Sequence, residues 1–476
     1  MNGWFFPSIP ARILLFTVLA TSVQADSLRI VADTGQQTPD GGGEFISFSL
    51  LSGNSPVMGS GSMVFVGHRD QDTGIYAEVG GELVSITNTS TPPQGFDAPF
   101  GVFFAAGSHP AIDGQNVVFS GADEVGFDSE FMAIWARIDG VWRSIAQSDE
   151  PAPNGETFVT FRGLNGVSPS ISGENIAFGA VTTFSTGIFA YIDGSLRLIA
   201  DTNTPVPGGP GTFLNFGLLS GTSPSICGSN VAFGGCTEDG QGIYAYIDGS
   251  LQVIADTKTR SPDGGTFVIF AMHEGASPAI SGQNIAFGAQ TTNDFNGHAI
   301  FAYIEGSLQL IVDNHTDVPG GVGPFTHFGL FSGAEPSISG ENVAFGAKIP
   351  SRNGNNGWGI YAYIDGALRT IADTDTIVPG RDVTFSSFRL TQGTSPAIDG
   401  EEVVFGGSSW GGEGLYASIP DHSADLDGDG TVGTSDLLIL FANWGPCEVC
   451  EACTADLDGN CTVGVSDLLI LFSNWG

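Results

Sequence analysis

The stretch SPSISGENIAFGAVTTFSTGIFAYIDGSLRLIADT, residues 168–202, decides the fold. It contains four short runs rich in β-branched and aromatic residues: Pro169 to Ser172, Asn175 to Gly179, Gly187 to Ile192 and Leu196 to Asp201. Short apolar runs bounded by glycine-containing turns read as strands, and Asp193-Gly194 reads as a tight hairpin turn. Nothing in the body of the chain shows helical periodicity over a useful length.

The same passage returns along the chain. Its opening pair stands at Ser55-Pro56, His109-Pro110, Ser168-Pro169, Ser223-Pro224, Ser277-Pro278, Glu335-Pro336 and Ser395-Pro396, which makes seven copies. Four short strands per copy is a propeller blade. The seventh copy stops after Gly414 to Ile419, without a fourth strand, and the missing strand lies at the other end of the chain. Ser27 to Thr34 (SLRIVADT) matches Ser195 to Thr202 (SLRLIADT). The expectation is an all-β, seven-bladed propeller over residues 26–420, closed by the N-terminal strand so that no sheet edge stays open. The blade resembles the WD40-like repeat of the TolB-type propellers through Pro169-Ser170-Ile171-Ser172, Ile176-Ala177-Phe178 and Ile243-Tyr244. It departs from that family in a loop of about 20 residues after the fourth strand, so the resemblance supports the fold and implies little about ligand.

Residues repeated in all seven blades build the ring. A Phe-x-x-Phe pair recurs from Phe45/Phe48 to Phe385/Phe388 and should anchor the long loop between neighbouring blades. The polar residue ending the fourth strand (Asp33, Asn88, Gln147, Asp201, Asp256, Asp313, Asp373) suits a cap for loop amides. Blade-specific residues gather on the loops between strands 2 and 3, which are expected to be long and to share a face with the loops from strand 4. They include His68-Arg69-Asp70, Phe184, Glu238-Asp239, Phe295, Trp358 and Trp410. Phe295, Trp358 and Trp410, beside Asn, Asp and Gly, are candidate platforms for stacking on a polysaccharide, or else solvated loop residues. There is no nucleophile elbow, zinc-protease helix or phosphate loop. A polysaccharide hydrolase or lyase on the same ring stays open as the alternative, because propeller acids come from different blades and no spacing reveals them.

The chain begins with Arg12, an apolar run from Ile13 to Ala20 and a small-x-small site at Val23-Gln24-Ala25. Residues 1–25 therefore read as a secretory signal, and no later segment suits a membrane span, so a secreted or cell-surface protein is expected. Fourteen basic against 51 acidic residues give a net charge of -37. Such a surface repels phosphate backbones and anionic lipid and favours divalent cations or neutral partners. Cys227 and Cys236, present only in the fourth copy, are expected to form a disulfide in an exported chain.

Residues 421–476 differ from the rest. ADLDGDGTVGTSDLLILFANWG (424–445) returns as ADLDGNCTVGVSDLLILFSNWG (455–476). Asp425, Asp427, Asp429, the Thr431 carbonyl and Asp436, then Asp456, Asp458, Asn460, the Thr462 carbonyl and Asp467, fall at the 1, 3, 5, 7 and 12 spacing of an oxygen-liganded calcium loop. The duplicated loops, each followed by one helix, resemble a dockerin, a small helical calcium module that plugs into cohesin domains. The resemblance implies Ca2+ as cofactor, a cohesin-like protein or cell-surface component as partner, and recognition through Thr434, Ser435, Val465 and Ser466. Gly433 and Gly464 at position 9 depart from the family pattern and imply water as one ligand, and Cys461 at position 6 weakens the second site or supports it differently. The helices read as Leu437 to Trp444 and Leu468 to Trp475, apolar nearly all round and hence buried. Cys447, Cys450, Cys453 and Cys461 read as two disulfides of undetermined pairing, one expected to reach Cys461.

Overall fold

The computed structural model describes residues 27–92, 100, 102–103, 109–122, 132–161, 167–350, 357–419, 424, 426–427, 432–447, 453–457, 462–473 and 475. The signal-like segment 1–25 and residues 93–99, 104–108, 123–131, 162–166 and 351–356 lie outside them.

Seven antiparallel sheets of four or five strands follow one another. Blade 3 is typical: Ser170–Ser172, Asn175–Thr182, Thr186–Ile192 and Ser195–Asp201 pair in chain order. Blade 7 is made of Ala397–Asp399, Glu402–Ser409 and Gly412–Ile419, and its outer strand is the N-terminal Ser27–Asp33. That strand runs antiparallel to Gly412–Ile419 with Ser27 opposite Ile419 and Asp33 opposite Gly414. The closure expected from SLRIVADT is therefore present. The tight 3–4 turns carry left-handed residues at Asp139, Asp193, Asp248, Glu305 and Asp365, each followed by a left-handed glycine, as a two-residue hairpin turn requires.

The long connection between blades is ordered. In blade 3 it forms a small hairpin bridged at Pro151 and Thr157, and then the strand Phe158–Thr160 pairs with the far half of Asn175–Thr182. The inner edge of each blade thus has two parts, a Phe-bearing segment above and the short first strand below. Phe213, Phe216, Phe233 and Tyr244 show the resulting cluster in blade 4, with Phe213 edge-on to Tyr244 at 4.8 Å and 5.2 Å from Phe216. Both Phe residues are about 1% exposed and pack with Ile188, Ala190 and Val206 of the preceding blade. A side chain at Gly235 would bring a Cβ within 2.8 Å of the Phe213 ring, which is why the second strand carries glycine there.

Hydrogen bonds tie each blade to the next. Asn116, Asn175, Asn230, Asn284 and Asn342, at the start of the second strands, donate from Nδ2 to a turn carbonyl of the following blade at 2.9–3.0 Å. Their Oδ1 atoms accept the N–H of their own 3–4 turns at 2.9–3.1 Å. Blade 7 has Glu402 at this position, and Arg29 of the closing strand joins it to blade 1. The guanidinium binds Glu78 through two bonds of 2.7 and 2.9 Å and Glu402 through one of 2.7 Å.

Two expectations are corrected. Cys227 and Cys236 are free. Cys227 faces Asn230 at the turn end of the hairpin, whereas Cys236 lies near the far end of Asn230–Thr237, opposite Gln241. Six residues of strand separate Asn230 from Cys236, about 20 Å, far beyond disulfide reach. The 2–3 connections are also shorter than expected. In blades 4, 5 and 7 only two residues separate the strands, because residues assigned to loops extend the second and third strands.

At the C-terminal end, Thr434–Ala442 (α1) and Val465–Ser473 (α2) are the only α-helices among the described residues. Ala424, Val432 and Leu440 pack with Ala455, Val463 and Leu471, their counterparts in the second copy. Gly445–Pro446 pairs with Thr462–Val463, and Cys447 is bonded to Cys453. Cys450 and Cys461, and with them the expected link to Cys461, lie outside the described residues. The helices are not buried all round: Leu438, Phe441 and Trp444, like Leu469, Phe472 and Trp475, are 43–68% exposed. Two nine-residue helices can cover only one face of each other.

Candidate functional site

Three places in the molecule carry residues beyond those that build the ring. The first is the pair of acidic loops. Each helix begins with a buried carboxylate, Asp436 at 1% and Asp467 at 0% exposure. Asp436 Oδ1 accepts the N–H groups of Leu426 and Asp427 at 2.7 and 3.1 Å, and Oδ2 accepts that of Gly433 at 2.6 Å. Asp467 repeats the arrangement with Leu457 at 2.7 Å and Gly464 at 2.6 Å. Burial pushes the Asp436 carboxyl up, but the backbone donors Gly433, Asp427 and Leu426 outweigh it and hold the group below its ordinary value. A position-12 carboxylate is therefore folded back over each loop, and that of Asp436 keeps its charge. Asp427 is exposed and Asp456 half-buried on the same loops. Thr462 is exposed in a short strand; Asp425, Asp429, Thr431, Asp458 and Asn460 lie outside the described residues. Thr434, Ser435, Val465 and Ser466 all face solvent on the first turns of α1 and α2.

The second is the face bearing the 2–3 turns. Trp410 sits at the tip of the blade 7 turn and is 96% exposed, and Phe184 in the blade 3 turn is 87% exposed. Trp358 behaves differently. It lies opposite Lys348 at the start of Gly357–Ile364 and packs against the cluster holding Val378 and Phe385, so it is half structural. Phe295 belongs to the strand Asp294–Ile304 in blade 5, at the same end of the ring, with its side chain outside the described residues. The three candidates thus occupy one end of three consecutive blades, and Trp410 presents a free ring where Trp358 does not. A cleft of about 570 Å3 opens between blades 1 and 2, with Trp142 and Arg137 on one wall and Arg69, Asp72 and Asn88 on the other. Arg69 is 6% exposed and binds Asp72 through two bonds of 2.6 Å and Asp40 at 2.8 Å.

Asn88, Asp201, Asp256, Asp313 and Asp373, which end five of the fourth strands, are caps, whereas Asp33 Oδ2 binds Arg381. Asp201 Oδ1 accepts the Asn203 N–H at 3.0 Å and the Thr204 hydroxyl at 2.8 Å, and Asp256, Asp313 and Asp373 repeat the pattern.

The third place is the axial channel, a space of about 200 Å3 lined by the first strands. The residue before each proline forms a belt around it. The backbone N–H of one blade donates to the side chain of the next: His109 to Ser168, Ser168 to Ser223, Ser223 to Ser277, Ser277 to Glu335, Glu335 to Ser395 and Ser395 to Ser55, all at 2.8–2.9 Å. Five blades supply serine. His109 and Glu335 are the two exceptions, the only titratable side chains lining the channel among the described residues, and they face each other across it with Nε2 and Oε1 3.9 Å apart. The pattern was visible in the aligned copies as two departures from Ser-Pro, but only the ring shows that they meet. Among the described residues no three His, Cys, Asp or Glu side chains form a metal-ligand group, and no helix is long and apolar enough to cross a membrane.

A comparison with curated proteins returns no match. Among solved structures, the chain is similar to the β-propeller domain of the Trilobed protease from Pyrococcus furiosus (13% identity, 77% of this chain and 92% of that chain, TM-score 0.45). It is also similar to a puromycin-hydrolysing peptidase of Mycobacterium tuberculosis (14%, 80% and 53%, TM-score 0.37) and the acylaminoacyl peptidase of Pyrococcus horikoshii (12%, 78% and 53%, TM-score 0.41). The matched region spans about half the length of the last two, and at these identities and scores the likeness says nothing about activity. The model of a family of unknown function, DUF7453, matches residues 104–399, more than half of the chain, and the protein belongs to that family.

Proposed function

We propose that this protein is an exported binding or display propeller, attached to an extracellular assembly or cell surface by a calcium-loaded, dockerin-like tail. The observation that carries the reading is the duplication at residues 424–445 and 455–476. Both copies close a buried position-12 carboxylate over an acidic loop, and both leave the residues just before it, Thr434-Ser435 and Val465-Ser466, exposed. Oxygen donors at alternate loop positions are the chemistry of a hard cation, with Asp425, Asp427, Asp429 and Asp436 forming the better site. The exposed stripe of Leu438, Phe441 and Trp444, repeated in Leu469, Phe472 and Trp475, offers a partner an apolar surface next to those residues. On the propeller, Trp410 and the cleft holding Trp142 beside Arg, Asp and Asn side chains suit a polysaccharide.

Full-length protein in calcium and in chelator tests the tail by calorimetry. A tail transition that falls by 10 °C or more on chelation supports calcium, and an unchanged transition rejects it. Incubation with a panel of soluble and insoluble polysaccharides tests the ring, with protein retention and new reducing ends followed in the same tubes. Retention without new ends, lost in Trp410→Ala, supports a binding module. New reducing ends would make the protein a polysaccharide hydrolase or lyase, and neither signal would remove carbohydrate as the ligand.

A further inference from the structure

We infer that the axial channel is a binding site for a zinc-class divalent metal ion, with His109 Nε2 and Glu335 Oε1 as its two protein ligands and water completing the coordination. The internal repeat supplies the first reason. Seven equivalent positions build one belt, and serine satisfies it in five blades, accepting the preceding blade's N–H through its hydroxyl. Glu335 keeps this structural duty through Oε2, which accepts the Ser277 N–H at 2.8 Å. His109 does not: among the described residues, the Ser55 N–H finds no acceptor in it, and this is the one junction where the belt is open. A position that forgoes a hydrogen bond its six equivalents make is one where another requirement has overridden the local rule.

The geometry says what that requirement is. At 3.9 Å, Nε2 and Oε1 are too far apart for a hydrogen bond. Two ligands of one tetrahedral ion at metal distances near 2.0–2.2 Å stand about 3.4 Å apart, within reach of small side-chain rotations. Each ligand is also oriented from behind. His109 Nδ1 lies 3.4 Å from the Pro110 carbonyl; the tautomer with its proton on Nδ1 donates there and turns the Nε2 lone pair to Glu335, as in metal-bound histidines. The Ser277 N–H holds Glu335 Oε2 and turns Oε1 into the channel. In that tautomer two lone pairs face one another across 3.9 Å, an arrangement a cation bridges. Ser337 Oγ, on the same channel wall, has no hydrogen-bond partner among the described residues. A space of about 200 Å3 holds several waters at about 30 Å3 each, and a chain of net charge -37 concentrates cations around it. One imidazole and one carboxylate suit zinc and its neighbours, whereas the oxygen-only loops of the tail suit calcium.

The test uses chelator-stripped full-length protein in millimolar calcium, which fills the tail loops and separates the two metals. It is titrated with Zn2+ by calorimetry beside His109→Ser, Glu335→Ser and Glu335→Gln. Wild type is expected to bind one equivalent more than either serine variant, and Glu335→Gln, which keeps an acceptor for Ser277, to lose at least tenfold in affinity. Cobalt should give visible absorption bands in wild type that are missing in His109→Ser. His109→Ser installs the residue of the other blades and gives Ser55 its acceptor, so it is expected to melt no lower than wild type without metal. Equal zinc stoichiometry and affinity in wild type and both serine variants overturns the site, whatever becomes of the calcium and polysaccharide readings.

Discussion

Arg29→Met tests the seam of the ring. Arg29 lies on the N-terminal strand and reaches Glu78 of blade 1 and Glu402 of blade 7 with three charge-assisted bonds of 2.7–2.9 Å. The side chains of Glu78 and Glu402 are 12% and 26% exposed and that of Arg29 is 33% exposed. Both carboxylates, through their hydrogen bonds and charge, raise the Arg29 pKa against a smaller effect of burial, the Glu78 bond being the largest single cause. Methionine keeps much of the apolar stem and removes the charge, leaving two carboxylates facing each other. Breaking a fully buried pair costs about 3–5 kcal/mol and an exposed one about 0–1. This half-screened clasp falls between, at about 2 kcal/mol, a change of about 30-fold in the folding equilibrium. Urea denaturation followed by tryptophan fluorescence reads it. Glu78→Gln with Glu402→Gln in the Arg29→Met background should recover at least half of the loss, because the repulsion is gone. A loss under about 0.5 kcal/mol for Arg29→Met, or no recovery in the triple variant, would refute the clasp.

Other expectations follow from the same structure. Phe213→Ala, at a site 1% exposed among three other rings, should cost about 3–5 kcal/mol by the same urea assay, whereas Trp410→Ala should leave the urea midpoint unchanged. His298 is 2% exposed, and burial, with a smaller push from His327, lowers its pKa to about 4. The unfolded chain, with a histidine pKa of about 6.5, takes up that proton first, so stability is full above about pH 6.5 and falls as pH drops towards 4, by about 2 kcal/mol at pH 5. His298→Gln should flatten the fall in urea midpoint between pH 7 and 5. Cys227→Ser/Cys236→Ser should lower the count of thiols titrated in denaturant without reductant by two, since these cysteines are free.

The fold was legible because propeller blades repeat. Seven X-Pro openings, five of them Ser-Pro, and the match of SLRIVADT to SLRLIADT gave blade number and closure, since a period of this length and a displaced strand have few other solutions. What the sequence hid was depth. The alternating residues of Asn175–Thr182 and its equivalents run past the point where glycine suggests a turn, so the 2–3 connections looked longer than they are. The Cys227–Cys236 separation looked like a disulfide because the first strand's length, three residues against eight, cannot be read from composition. In the tail, helix positions were legible from the apolar runs, but an isolated apolar helix does not reveal which half is covered. Trp358 was offered as a surface ring because Asn and Gly precede it; its strand register, opposite Lys348, turns it towards the next blade. His109 and Glu335 stood out from the repeat all along, and only closure into a ring brings two blades so far apart in sequence within 3.9 Å.

The joining of the last blade to the first strand also governs how the protein comes apart. In a linear stack of seven repeats there would be six interfaces, and an end repeat could peel away at the cost of one. The closed ring has seven, and every blade shares two of them, so no blade can leave without breaking both. Local fraying is suppressed everywhere except at the seam, where the covalent chain does not cross and Ser27–Asp33 is held by its strand ladder, by Arg29, by the Asp33–Arg381 ion pair and by the packing of Val31 and Ala32. Proteolytic susceptibility should therefore begin with this one strand and then spread to the whole ring at once, with few partly opened intermediates between.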